Sequence, residues 1–173
     1  MLPFVDRCFE LGIPVLVMNP NFNSDPETGV GIPHSRDMTD HALYVWDKYV
    51  KDSGFDQICV VAHSAGGGCI NEIQDTFADT FYNQVHKVAY TDSWVIDRSR
   101  LNDQQHQWMF QNAIHYEACD KPLGAHISVN AEEDVCPVVS AGHQRHEYTT
   151  GTSQWLIMYQ FGYELPEQAY ANQ

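Results

Sequence analysis

The chain has 173 residues, of which 9 are Lys or Arg and 23 are Asp or Glu, so its formal net charge is −14. This length suits a single domain with a sizeable core, and the 43% hydrophobic content excludes a disordered, collagen-like or coiled-coil chain. The acidity argues against direct binding of nucleic acid, because contacts with a phosphate backbone require clustered Lys and Arg side chains.

Cysteine usage and the absence of targeting signals bear on the compartment. The chain has five cysteines, an odd number, with no C-x-x-C pair and no N-x-S/T sequon. The N-terminus lacks a basic and apolar signal peptide, and no apolar run approaches the ~20 residues that a membrane helix needs. The sequence predicts reduced thiols without structural zinc, in the nucleus, the cytoplasm or both, and no membrane association.

The first third of the chain alternates helix and strand signals. Residues 4–11 read as a short helix that ends at Gly12, and the continuously apolar residues 13–18 read as a buried strand. Residues 19–37 are rich in Asn, Pro, Gly, Ser and Asp and predict a loop. Apolar residues at helical spacing predict the next helix over residues 39–51.

The middle of the chain repeats this alternation. Residues 58–62 and 85–90 are apolar and predict strands, and a helix through Ile70, Ile73 and Phe77 lies between them. A further helix is expected around residues 108–110.

Toward the C-terminus the expected elements become shorter. Strands are expected near residues 114–118 and 136–140, and a last helix over residues 155–161, while residues 125–135 are ambiguous. Strands separated by helices predict a mostly parallel sheet covered by helices on both faces. Such sheets place their functional sites at the carboxyl ends of the strands.

One strand-turn-helix segment carries the pattern of a nucleophile. Residues 62–68 read Ala-His-Ser-Ala-Gly-Gly-Gly between a predicted strand and a predicted helix. A G-x-S-x-G nucleophile elbow requires this context, and here Ala62 replaces the first glycine. Ser64 would be the nucleophile, and the backbone N–H of Ala65 would face an oxyanion at the start of the helix. The alternative is a glycine-rich turn with an incidental serine.

A serine nucleophile needs a base and an acid. In α/β-hydrolases the acid follows the serine along the chain, and the histidine that acts as the base comes after the acid. His146 is the first candidate for the base because it lies in the loop after the last predicted strand, and His143 is the second. Asp92, at the end of the strand after the elbow, is the first candidate for the acid. Asp120 and then Asp134 are the alternatives. We expect His63 to pack in the elbow.

Other chemistry finds less support in the sequence. The His143-x-x-His146-Glu147 segment could be read as metal ligands, but without further matched spacing the hydrolase interpretation is favoured. Neither a phosphate loop nor a dinucleotide-binding fingerprint occurs. We therefore expect no metal and no cofactor.

Several segments, in order along nearly the whole chain, resemble the Arb-two domain family. They are His41–Asp47, Val61–Gly67, Thr91–Ser93, Val139–Gly142 and Arg145–Glu147, together with Val17–Asn21. The elbow alone would be unspecific, but its combination with the Tyr-Val-Trp-Asp helix and the Arg-His-Glu segment is fairly specific.

The resemblance implies a three-layer α/β-hydrolase-like fold with Ser64 as the elbow serine. It also implies an interaction module in small-RNA-directed heterochromatin formation or in cotranscriptional and splicing regulation, with argonaute, chromatin or splicing proteins as partners and with vestigial catalysis. The alternative is an active serine hydrolase on a small acyl substrate, using Ser64, His146 and Asp92.

One departure from the family concerns the N-terminus. Family members have an apolar strand with a His-Gly loop before the helix that begins here at Pro3, and in hydrolases that loop supplies a second oxyanion donor. We expect the N-terminal strands to be missing, which would expose a sheet edge. The expected organisation is one domain over residues 1–165 and a tail over residues 166–173.

Overall fold

The structure, a computed structural model, describes residues 2–164. The predicted tail, residues 166–173, lies outside the described residues. Seven α-helices and five strands are present in this part of the chain. The helices are α1 Leu2–Glu10, α2 Met38–Val45, α3 Gly66–Thr76, α4 Ala78–Gln84, α5 Asp103–Asn112, α6 Thr149–Thr152 and α7 Gln154–Gln160. The strands are β1 Ile58–His63, β2 Val85–Thr91, β3 Ala113–Glu117, β4 His126–Ser128 and β5 Val138–Ser140.

The strands form one sheet in the order β1-β2-β3-β5-β4. The pairs β1–β2, β2–β3 and β3–β5 are parallel, and the short strand β4 runs antiparallel to β5. Helices connect most of the parallel strands, as crossover connections require. The prediction of a mostly parallel α/β sheet is confirmed.

Helices cover both faces of the sheet, because the side chains of each strand alternate between two hydrophobic cores. Ala62 and Tyr90 belong to the larger core, which also contains buried residues of α2, α3, α4 and α5. Cys59, Val61 and Ala89 belong to the smaller core, which contains Ile157 of α7 and Phe161 just after this helix, and which Phe4 of α1 flanks. The result is the predicted three-layer architecture.

The prediction of a strand over residues 13–18 is wrong. This segment is not part of the sheet, and Val15, Leu16 and Val17 are exposed. A strand needs a neighbour for its backbone hydrogen bonds. Among the described residues β1 pairs only with β2, so one edge of β1 is unpaired, and residues 13–18 do not pair with it. Apolar composition alone therefore did not place this segment in the sheet.

Other elements differ in detail from the expectations. The predicted helix over residues 39–51 is α2 followed by a π-helical turn, Trp46–Val50, which keeps Trp46 and Val50 in the core. The ambiguous residues 125–135 contain β4. All five cysteines are free thiols. No helix in the described part of the chain is long and apolar enough to cross a membrane.

Candidate active site

The candidate site lies at the carboxyl ends of β1 and β2. His63 and Thr91, the last residues of these strands, are paired in the parallel register. Ser64 and Asp92 each follow one of these two residues, so the sheet itself brings them side by side. Thr91 in turn pairs with Tyr116 of β3, which extends the same edge toward the loop after β5.

Ser64 occupies a sharp turn between β1 and α3. Its φ is +55°, in the left-handed region that non-glycine residues rarely adopt. The turn is held by its backbone, since Ser64 N–H donates to the Thr91 carbonyl at 3.3 Å and the Ser64 carbonyl accepts from Gly67 N–H at 3.2 Å. This strained strand-turn-helix is the geometry of a nucleophile elbow.

Asp92 and His146 form a close pair beside this turn. His146 Nδ1 lies 2.6 Å from Asp92 Oδ2, and Asp92 Oδ1 accepts from the Ala118 N–H at 3.2 Å. Asp92 also has a left-handed φ, +45°. Partial burial acts to raise the pKa of the Asp92 carboxyl, but the hydrogen bonds from His146 and Ala118 outweigh it and hold the pKa below its usual value. Asp92 is therefore ionised at neutral pH and can orient His146 through Nδ1.

His146 lies in a 3₁₀ turn, His146–Tyr148, after β5. Its ring packs on the ring of His63, with centroids 4.5 Å apart. Because Nδ1 faces Asp92, Nε2 is the nitrogen left for proton transfer. The Ser64 hydroxyl is not hydrogen-bonded to His146 in the described structure, a common situation where no substrate is bound.

Ala65 lies at the N-cap of α3, directly after Ser64. No hydrogen-bond acceptor for its backbone N–H is found among the described residues. The first N–H groups of a helix carry a partial positive charge and have no partner within the helix. The Ala65 N–H is therefore available to donate to a negatively charged oxygen beside Ser64.

The alternative histidines make other contacts. The His143 ring packs against Tyr148 with centroids 4.9 Å apart, and His143 Nδ1 accepts from the Arg145 N–H. His63 packs in the elbow as expected and its Nδ1 lies 2.9 Å from the Thr91 carbonyl, so this nitrogen is the donor. Of the three, His146 is the one whose ring is bonded to Asp92.

The alternative acids lie apart from the pair of Asp92 and His146. Asp134 Oδ2 accepts from the Ser128 hydroxyl at 2.5 Å and from the Asn130 N–H at 2.7 Å, which ties it to the loop after β4. Asp120 is exposed in the turn after β3. Among the described residues, no group of three or more His, Cys, Asp and Glu side chains is arranged to hold a metal ion.

Two residues that sequence reasoning missed hold the site together. The buried Ser93 hydroxyl donates to the Ser64 carbonyl at 2.6 Å and accepts from the Gly67 N–H at 3.0 Å. His115 Nε2 accepts from the Ser93 N–H at 3.2 Å, and burial lowers the pKa of this imidazole against the opposing influence of nearby carboxylates. Ser93 lay in the Thr91–Ser93 segment that carries the family resemblance, but nothing in the sequence assigned it this role.

The mostly parallel sheet, the helices on both faces and the serine turn at the carboxyl edge define an α/β-hydrolase-like domain. The model of the family described as the Arb2 domain matches residues 18–123, more than half of the chain. The chain belongs to the Arb2 domain family, so the resemblance found in the sequence is confirmed. The matched residues include Ser64 and Asp92 and end before His146.

Several proteins named as cotranscriptional regulators are similar to this chain over part of its length. The Cotranscriptional regulator ARB2A homolog of Xenopus tropicalis is 36% identical over 118 residues, which are 66% of this chain and 27% of that protein. The human Cotranscriptional regulator ARB2A is 33% identical over the same length and coverage.

The Cotranscriptional regulator ARB2A homolog of Dictyostelium discoideum is 22% identical over 195 residues, covering 93% of this chain and 50% of that protein. The chain thus spans about a quarter of the length of these vertebrate relatives and about half of the Dictyostelium one. No solved structure matches.

Proposed function

We propose that this Arb2 domain carries a serine-hydrolase site in which Ser64 is the nucleophile, His146 the general base and Asp92 the residue that orients His146. The observation that carries the proposal is the 2.6 Å contact between His146 and Asp92 beside a serine held at φ +55°. Strained residues at a site with an ordered base-acid pair are typical of nucleophilic catalysis.

The expected reaction is hydrolysis of an ester, a thioester or a similar acyl compound. Ser64 Oγ bonds to the carbonyl carbon as its proton passes to His146 Nε2, and the oxyanion accepts a hydrogen bond from Ala65 N–H. The bond to the leaving group then breaks, and His146 returns the proton to that group. Water releases the acid and restores Ser64 by the same steps.

Among the described residues, Ala65 is the candidate oxyanion donor at the start of α3. One such donor is typically worth about 10²–10³ in rate. Activated esters are the substrates of choice for detecting the reaction.

A fluorophosphonate probe tests the nucleophile. We expect the folded protein to be labelled and Ser64→Ala to lose the label. Ser53→Ala is the matched control, because Ser53 is an exposed serine in a turn remote from the site in the chain. Labelling that persists in Ser64→Ala, or a folded protein that is not labelled, would overturn the proposal.

Relatives named cotranscriptional regulators favour a second role. The domain is proposed to act in the nucleus as an interaction module for protein partners, of which argonaute, chromatin and splicing proteins are the candidates. The net charge of −14 supports basic protein surfaces as the partners in preference to nucleic acid. Catalysis and partner binding are separable, because the first depends on Ser64 and the second on the surface.

Affinity capture from nuclear extract tests this role. The folded domain is expected to recover argonaute, chromatin or splicing components, and Ser64→Ala is expected to recover the same set. Nuclease treatment of the extract serves as the control for indirect capture through RNA. Recovery of none of these classes, or recovery that is lost after nuclease treatment, would contradict the role.

A further inference from the structure

One large aromatic side chain next to the elbow is left open to solvent. Trp94 lies two residues after Asp92 and is 66% exposed. Its backbone is nevertheless fixed, because its N–H donates to the Ser64 carbonyl at 3.4 Å and its carbonyl accepts from the Asn71 amide at 3.5 Å. An exposed tryptophan on an ordered segment beside a candidate site offers apolar surface to a ligand bound there.

Two glycines of α3 allow Trp94 to lie so close to the helix. A Cβ at Gly67 would collide with the Trp94 carbonyl, and a Cβ at Gly68 would lie 3.1 Å from Trp94 Cε3 of the indole. The indole therefore rests on the first turn of α3, the turn that begins at Ala65. The residue is otherwise largely exposed to solvent beside that turn.

The spacing along the helix limits what the indole can contact. Ala65 and Gly68 are three residues apart, which corresponds to about 5 Å along the axis. We expect the acyl chain of a substrate whose carbonyl oxygen is bound at the Ala65 N–H to begin about one helical turn from the indole. On this spacing an acetyl group is expected to end short of the ring, and a chain of about four or more carbons is expected to reach it.

We propose that Trp94 binds the apolar acyl chain of the substrate, so that the site prefers medium-length acyl groups to acetyl. This inference rests on the proposed hydrolase function and adds the substrate class. A neutral alkyl chain suits the indole face, which offers apolar surface, and it suits an acidic domain that repels anionic acyl groups.

Two alkyl fluorophosphonates, one with a methyl and one with an octyl chain, test the inference through the ratio of their labelling rates. The wild-type protein should react faster with the octyl probe, and Trp94→Ala should lower the octyl-to-methyl ratio about tenfold while the methyl rate stays within a factor of three. Trp94→Phe should keep most of the ratio. Phe55→Ala is the matched control at another exposed aromatic and should leave the ratio unchanged.

A second measurement separates this inference from the proposed function. The indole N–H resonance of Trp94, assigned by its loss in Trp94→Phe, is followed during titration with hexanamide and with acetamide. A ratio unchanged in Trp94→Ala overturns the inference and leaves the hydrolase proposal standing. If Ser64 is not labelled but the resonance shifts with hexanamide alone, the hydrolase proposal fails and the apolar site stands. Absence of both responses overturns both.

Discussion

At the residue scale, backbone strain and hydrogen bonding single out the same two positions. Within the described residues, the non-glycine residues with positive φ are His34, Ser64 and Asp92. Such conformations cost roughly 1–2 kcal/mol each and persist only where the surroundings impose them. The Ser93 hydroxyl bonds the Ser64 carbonyl, and the Asp92 N–H donates to the Tyr116 carbonyl at 2.8 Å, so neighbouring strands hold both backbones.

Asp92→Asn is expected to preserve the fold and slow the reaction of Ser64. The amide keeps the shape of the carboxylate but cannot stabilise a protonated His146 or hold the required tautomer. We expect the rate of fluorophosphonate labelling to fall by about 10²–10⁴ with no comparable change in the urea midpoint. Asp120→Asn is the matched control and should label at the wild-type rate. Equal rates for Asp92→Asn and wild type would contradict the assignment of the acid.

His115 predicts a pH dependence of stability. Its neutral ring accepts the Ser93 N–H, and burial lowers its pKa below the ordinary value of about 6.5. As pH falls below about 6.5 the unfolded chain takes up the proton first, so the folded state loses stability. His115→Gln keeps an acceptor that does not titrate. Its urea midpoint should therefore fall less than that of wild type between pH 7.5 and 5.5, and an equal fall would contradict the prediction.

The sequence predicted residues whose roles follow from local pattern and missed those that depend on pairing. Ser64 and Ala65 lie in a recognisable strand-turn-helix, and the structure brings Ser64, Asp92 and His146 to one edge. Ser93 could not be found this way, because its bond to the Ser64 carbonyl exists only once β1 and β2 pair in register.

At the element scale, the first turn of α3 packs against the loop that follows Asp92. The adjacent residues Gly66 and Gly67 differ strongly in the space around them. A Cβ at Gly67 would collide with the Trp94 carbonyl, whereas a Cβ at Gly66 would meet only Ala62 Cβ at 4.0 Å. Gly67→Ala should lower the free energy of unfolding by about 2 kcal/mol or more. Gly66→Ala, the matched control, should leave it unchanged or raise it by up to about 1 kcal/mol. Chemical denaturation decides, and equal values would refute the contact.

The sequence predicted strands correctly where the segment also pairs with another strand of the sheet. The apolar residues of β1 and β2 predicted strands and form them, although β1 is mostly half-buried and β2 is mostly buried. Residues 13–18 have the same composition but pair with no strand among the described residues, so composition alone gave the wrong result. The three-residue strand β4 is too short for any periodicity and depends on β5 beside it.

At the scale of the whole molecule, the fold class followed from alternating helix and strand signals, but the order of the strands depends on contacts distant in sequence.

The net charge of the molecule separates the candidate partners. The charge of −14 predicts no measurable binding of a 20-nucleotide single-stranded RNA at 150 mM salt in fluorescence anisotropy. A basic peptide of equal length is the control for ligand size. Tight RNA binding that weakens steeply between 50 and 200 mM salt would contradict the prediction.

The rate at which Ser64 reacts with a fluorophosphonate, in wild type and in His146→Ala, tests the proposed triad most directly. Peptide mapping of the product locates the adduct, and His143→Ala provides the comparison with the neighbouring histidine. We predict an adduct on Ser64 that forms at least 100-fold more slowly in His146→Ala and within threefold of the wild-type rate in His143→Ala. An adduct at another residue, or an unchanged rate in His146→Ala, would contradict the triad.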